Sequence, residues 1–276
     1  MQRKLGINTD CLSGLTDELT TLALAKEMGF ESITTGSTKM EEVCALKDKT
    51  VAYGMDFPFL HAPFRGINAM WEQGDGYLTL YHGMCEAIDS AAAAGVAGVV
   101  THVSSGWQAP PVNDLGLSRY DALVDYAAEK GVTLAFENLR MVGNLACLVD
   151  RYEKRDNVRF CLDVGHEHCY TKTVCWMDIF TDKLFCTHIH DNVGRPFHDK
   201  VNDFDQHLLP FDGTCNYHRM MQKLDEYGYT GALTLEIFYG AREDYKTMTG
   251  DAFLATAYDR LKRISVLNAP TVEKEI

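Results

Sequence analysis

The sequence predicts an α/β protein built as a single (β/α)8 TIM barrel. Eight short apolar segments alternate with helical stretches along 276 residues. Such alternation implies parallel strands joined by right-handed crossovers. Eight units in a chain of this length suit a closed barrel, which commonly runs to about 250 residues as one domain. An open doubly wound sheet often carries a glycine-rich phosphate loop after its first strand. Here that place reads Asp10-Cys11-Leu12-Ser13-Gly14, with no such loop.

In chain order, Leu5–Cys11 is the first strand. A helix over Leu15–Met28 follows Ser13 and Gly14 and stops at Gly29. Phe30–Thr35 and Phe57–Pro63 are the second and third strands. Tyr77–Ala94 is a helix stopped by Gly95, and Gly98–Ser104 is the fourth strand. Tyr120–Lys130 stops at Gly131 before the fifth strand, Val132–Leu139. Val158–Val164 and Leu184–Asp191 are the sixth and seventh. Met220–Tyr227 stops at Gly228, and Ala232–Phe238 is the eighth. The strands are rich in branched and aromatic residues and bounded by breakers. Glycine just past a helix accepts the left-handed conformation that ends it. This reading gives residues 1–268 to the barrel and 269–276 to a loose C-terminal tail.

Composition narrows the function classes. With 46% hydrophobic residues the chain fills a large core, which excludes general disorder. Its 26 Lys+Arg against 39 Asp+Glu give a charge of -13 with no basic run, which argues against a nucleic-acid partner. No apolar stretch suits a membrane span, and no apolar leader follows the N-terminal Met1-Gln2-Arg3-Lys4. The nine cysteines form no C-x-x-C pair, so free thiols in a reducing cytoplasm are expected rather than a cysteine zinc cluster.

Strand parity points to a site. Leu134 and Phe136 share one face of the fifth strand, and Thr133, Ala135 and Glu137 the other. Phe160 and Leu162 oppose Cys161 and Asp163. Cys186, His188 and His190 share a face. Leu233, Leu235 and Ile237 oppose Thr234 and Glu236. In a barrel, the C-terminal strand ends carry the active site. Glu137, Asp163, His188 and Glu236 therefore converge at one mouth. Carboxylates gathered this way need protons or a cation, and an oxygen–imidazole set suits Mn²⁺, Mg²⁺, Co²⁺ or Zn²⁺. His61 and His102 end the third and fourth strands, His166 follows Asp163 by three, and Asp205 and His207 lie in the long loop from Val193 to Thr214. These are substrate-binding or additional metal residues, as is His190, placed higher on its strand. Phe64, Trp71 and Trp107 fall in loops on the site side as stacking surfaces, and Arg65 and Arg140 as anion contacts.

The motifs Phe136-Glu-Asn, Leu162-Asp-Val-Gly-His, His188-Ile-His-Asp, Asp205-Gln-His-Leu-Leu-Pro with Gly213, and Leu235-Glu-Ile resemble the xylose isomerase-like barrel superfamily of sugar phosphate isomerases and epimerases. The resemblance covers roughly residues 5 to 265. It implies one divalent metal on Glu137, Asp163, His188 and Glu236, with Glu137 and Glu236 moving the proton next to a carbonyl through a metal-stabilised enediolate. It implies substrate contact by His166, with Arg195 the nearest counterpart of a substrate-binding arginine. The expected substrate is a small sugar, sugar phosphate or polyol, and a homo-dimer or tetramer is expected. A dehydratase would use the same residues. The chain also resembles apurinic endonucleases, whose three zinc ions would take His61, His102, Glu137, Asp163, His166, His188, Asp205, His207 and Glu236. It departs from them in Val164-Gly165-His166 and in the segment after His188. A non-catalytic binding subunit is the third class.

Overall fold

The structure, a computed structural model, describes residues 2–268. The expected tail at 269–276 lies outside them. Eight strands form the barrel: β1 (Leu5–Asn8), β2 (Ser32–Thr34), β3 (Phe59–His61), β4 (Gly98–Thr101), β5 (Thr133–Glu137), β6 (Val158–Asp163), β7 (Leu184–His188) and β8 (Leu233–Leu235). All pairings are parallel, in the orders β2-β1-β8 and β3-β4-β5-β6-β7. Parallel bridges Ser32–Asp56 and Ile189–Leu235 join the two runs into a ring. The strands are shorter than the apolar segments that announce them. Their ends leave the ladder as the loops diverge, which a residue pattern does not register.

Among the described residues the helices are α1 (Glu18–Met28), α2 (Met40–Ala52), α3 (Leu78–Ala94), α4 (Asp114–Glu129), α5 (Val142–Arg151), α6 (Val164–Tyr170), α7 (Met177–Phe180), α8 (Tyr217–Glu226) and α9 (Gly250–Ser265). Three begin away from the expected residue because a side-chain cap fixes the start, α8 at Tyr217 rather than Met220 behind Asn216 among them. Asp17 accepts from the Thr20 N–H, which starts α1 at Glu18 rather than Leu15. Asn113 accepts from the Gly116 N–H and starts α4 six residues before Tyr120. The helices α2, α5, α6, α7 and α9 add to the four read from sequence. Met40–Ala52 in particular is dense in charge and shows apolar residues on a single face (Val43, Leu46).

The expected parity holds. Leu134, Phe136, Phe160, Leu162, Leu233 and Leu235 pack outward in the main core. Phe59, Val100, Ala135, Cys161 and Cys186 form a separate cluster inside the barrel. That inner layer is the floor on which the polar strand ends stand.

Candidate active site

Just above the floor, two residues beyond Ala135, Cys161 and Cys186 on their strands, Glu137, Asp163 and His188 are buried with at most 1% exposure. His61 and His102 present Nε2 to Glu137 Oε2 at 3.2 and 3.0 Å. His188 Nδ1 lies 2.9 Å from Glu137 Oε1 and 3.3 Å from Glu236 Oε2. Burial alone would push the Glu137 carboxyl up, but His188, His102 and His61 hold it well below the usual range. His188 in turn is raised well above the ordinary imidazole value. Burial opposes that shift, and Cys161, Glu236 and Glu137 outweigh it.

A second group stands beside the first. His166 Nε2 lies 2.9 Å from Asp205 Oδ2. His190 and His207 stack at 4.0 Å between ring centroids, and each places Nε2 3.4 Å from Asp205 Oδ1. Burial would raise the Asp205 carboxyl, yet His166 and His207 hold it well below its usual range. Burial opposes, and Asp205 drives, a His207 value near 10.

Ligand-type atoms of Glu137, Asp163, His188 and Glu236 lie within 4.8 Å of one another, as do those of His61, His102 and Glu137, and those of His166, His190, Asp205 and His207. Three buried atoms of these groups are among those without a hydrogen-bond partner in the described residues: Asp163 Oδ2, His190 Nε2 and Asp205 Oδ1. His190 Nε2 sits 3.2 Å from Asp163 Oδ1 without making a hydrogen bond. Atoms that converge but do not bond to each other fit a shared cation, and unpaired buried oxygens are costly without one. The donor set therefore fits a divalent metal, with His190 among its neighbours rather than above them.

The backbone is built to hold this arrangement. Asn138 donates to the Asp163 carbonyl and accepts from the Asp163 N–H, both at 2.8 Å, clamping β5 to β6. Asp163 also caps α6 by accepting from the His166 N–H, which turns His166 toward the site. Gly165 is required there, because a Cβ would fall 2.0 Å from His190 Cε1. Asp191 accepts from the N–H groups of Asn192, Phe211 and Cys215, tying down the loop that carries Asp205 and His207.

The mouth has two lobes of about 360 and 350 Å³ that share His61, Phe64, Glu236 and Phe238. The first is lined by His102, Arg140, His166, Tyr170, Asp205 and His207. Phe64 stacks on His102 at 4.2 Å and walls both lobes. Trp107 lines an adjoining space with Arg140 and Lys200. Arg140 lies over the Tyr170 ring at 3.7 Å and pairs with Asp203. Arg65 stands on the rim of the second lobe.

Two expected substrate contacts are elsewhere. Arg195 gives its guanidinium to the carbonyls of Cys169, Pro196, Phe197 and Asp199 and lies over Trp107. The loop it belongs to consumes its donors, so it lines neither lobe. Trp71 is buried against α4 and donates to the Val103 carbonyl at 2.7 Å. Its ring fills the space over Gly116, so it serves packing.

Asn8 and Asp10 line the second lobe and escape the sequence reading. The parity that singles out Glu137 applies equally to β1, where Ile7 faces out. Burial, with Glu18 and Glu236 nearby, raises the Asp10 carboxyl from 3.8 to about 6 against the Asn8 hydrogen bond.

A family model described as "Xylose isomerase-like TIM barrel" matches residues 22–256. An inosose isomerase of Halalkalibacterium halodurans is 27% identical over 147 residues, 50% of this chain and 49% of that one. The uncharacterized protein y4fM of Sinorhizobium fredii is 29% identical over 163 residues, 54% of this chain and 50% of that one. The chain thus spans about half the length of the curated relatives it matches. Among solved structures, the IOLI protein with a bound zinc atom superposes with a TM-score of 0.76 at 19% identity, covering 95% of this chain and 98% of that one. D-Psicose 3-epimerase with D-tagatose, from Clostridium cellulolyticum H10, gives 0.71 at 15% identity, covering 96% and 99%. At these identities the superpositions show the fold.

Proposed function

We propose that this chain, which belongs to the xylose isomerase-like TIM barrel family, is a metal-dependent isomerase or epimerase of small sugars or polyols. The observation that carries the reading is the convergence of Glu137, Asp163, His188 and Glu236 within 4.8 Å, with Glu236 open to both lobes. The names of the inosose isomerase and D-psicose 3-epimerase relatives support it.

Glu137, Asp163, His188 and Glu236 would hold one Mn²⁺, Co²⁺, Mg²⁺ or Zn²⁺. Such an ion supplies Lewis acidity at a substrate carbonyl. The chain's own residues do the rest. Glu236, with 17% of its side chain exposed, faces the substrate space and takes the proton from the carbon next to the carbonyl. Glu137, buried beneath Glu236 in the same cluster and ionised among three imidazoles, would be the partner in proton return. His61 and His102 hold its second oxygen. His166 and His188 orient the substrate, and Phe64 offers a ring face to it; Trp107, in the adjoining space under Arg195, lines neither lobe. Loss of a hydroxyl after the same abstraction would make the enzyme a dehydratase. The nine cysteines, all free, favour a reducing cytoplasm. No described helix is long and apolar enough to cross a membrane.

The test is exchange. Protein purified without chelator, with its metal counted by elemental analysis, is incubated in D2O with D-psicose, D-tagatose and an inosose. Wild type should incorporate deuterium next to the carbonyl, and Glu137→Gln and Glu236→Gln should each abolish it while remaining folded. Exchange at the wild-type rate in both variants would overturn the assignment. A second reading, a phosphodiesterase on several zinc ions, is favoured by the two further groups, His61–His102–Glu137 and His166–His190–Asp205–His207. About three zinc ions per chain and cleavage of abasic DNA would establish it.

A further inference from the structure

We propose that the lobe between β1 and β3 is a subsite for the neutral, hydroxyl-bearing end of the substrate, with Asp10 its selecting residue and Gly36 the residue that keeps it open. This rests on the isomerase or epimerase reading above. The lobe is lined by His188 and Glu236 and, beside them, by Asn8, Asp10, Thr34, Thr35 and Gly36. A molecule whose carbonyl meets Glu236 therefore extends its far end toward Asp10.

Asp10 is held in place. Asn8 Nδ2 donates to Asp10 Oδ1 at 2.8 Å. Asn8 is itself fixed by the Ile237 N–H at 3.1 Å and the Ile237 carbonyl at 3.2 Å. Asp10 Oδ2 accepts no hydrogen bond from another residue among the described residues. It lies over Gly36, where a Cβ would stand 2.9 Å from it. A side chain there would fill the approach to that oxygen.

The neighbouring hydroxyls do not compete. Thr34 Oγ1 donates to the Phe59 carbonyl and Thr35 Oγ1 to Glu18. What the lobe offers is thus an acceptor in need of a donor. Asp10 and Glu236 are its carboxylates; His61 and His188 gather at Glu236, and Arg65 is exposed on the rim. A phosphate or carboxylate group at Asp10 would meet a like charge with no cation paired to it. A sugar or cyclic-polyol hydroxyl would donate to Oδ2, and charge-assisted hydrogen bonds are the stronger kind. Arg140 lies in the other lobe, away from this end.

The experiment compares wild type, Asp10→Ala and Gly36→Val on D-psicose, D-tagatose, an inosose and D-tagatose 6-phosphate, by deuterium exchange and by calorimetric binding. Metal content and thermal melting show that each variant is folded and loaded. Wild type should prefer the neutral sugars. Asp10→Ala should raise KM at least about tenfold, more than it changes kcat, as expected for loss of a hydrogen bond to a charged group. Gly36→Val should weaken the same sugars. An unchanged KM in Asp10→Ala, or a preference for the phosphorylated sugar, would overturn the subsite and leave the isomerase reading standing. If wild type exchanges no sugar, that reading falls. The subsite then survives only if calorimetry shows neutral sugars bound by wild type and not by Asp10→Ala.

Discussion

Gly165→Ala is the sharpest probe of how the site is packed. The added Cβ would stand 2.0, 2.3 and 2.4 Å from three atoms of the His190 ring, where ordinary contacts are 3.4–4 Å. His190 is fully buried, so a relief of more than an ångström has to come from the ring or from the first turn of α6. Alanine in place of helical glycine would otherwise favour folding by up to about 1 kcal/mol. Overpacking a tight interior costs about 1–3 kcal/mol or more, and three simultaneous overlaps against an immobile ring put this case at the upper end. The expected result is a net loss of about 1–2 kcal/mol in urea unfolding of metal-free protein, with weaker metal binding. His190→Ala on the same background removes the obstructing ring. The double variant should then recover at least about 1 kcal/mol relative to additivity, a coupling of the size seen between residues in contact. Additive effects, or a Gly165→Ala protein as stable as wild type, would refute this account of the Gly165–His190 contact.

Asn138→Ala strips a buried clamp from the Asp163 N–H and carbonyl. It should cost about 2–4 kcal/mol in denaturant unfolding, since each orphaned buried group costs about 1–3, and should weaken metal binding in titration. Arg195→Ala releases three loop carbonyls and that of Cys169 in α6. It should speed proteolytic cleavage within residues 193–214 more than it changes sugar affinity; the reverse would restore its role as a substrate contact. Asp10→Asn should stabilise the protein at neutral pH. The folded carboxyl is raised from 3.8 to about 6, so wild-type stability falls as pH rises through that window. The gain, at most about 3 kcal/mol for two units, should be absent near pH 3 and full by pH 7, measured by unfolding across pH.

The barrel and its gathered polar residues were legible because both follow from the two-residue period of a strand. Once Leu134 and Phe136 face the helices, Glu137 faces in. Less was legible in the loops. Arg195 reads from sequence as a free cation after the metal histidine. Only the folded path of residues 195–199 shows its donors spent on the backbone. His190 looks like one step too high on its strand, and becomes a neighbour of Asp163 because Gly165 admits its ring. Asn138 is a motif letter until the register Glu137–Cys161 sets it beside Asp163. Asn8 was within reach, since the same parity on β1 turns it inward; Asp10 follows in the single 3-10 turn Thr9–Leu12, where strand parity no longer applies. Their three-residue neighbourhood simply lacked a second ionisable strand end to draw attention.

Asp10, half-buried at the lobe, also differs physically from the other carboxylates of the mouth. Glu137 and Asp205 each have several imidazoles against them, and these hold both well below the ordinary range despite burial. Asp10 has one amide and no cation, so burial prevails and the carboxyl is raised. A fold selected for stability alone would place Asn or Thr there. A local arrangement that breaks such a rule without a compensating contact marks a place where the missing partner comes from outside. The two Asp10 experiments therefore bear on one claim. If replacing the carboxylate stabilises the protein above pH 6 while loosening neutral sugars, the unpartnered oxygen is kept for the substrate. If it stabilises the protein and leaves sugar binding unchanged, the carboxylate has no role at this end of the mouth.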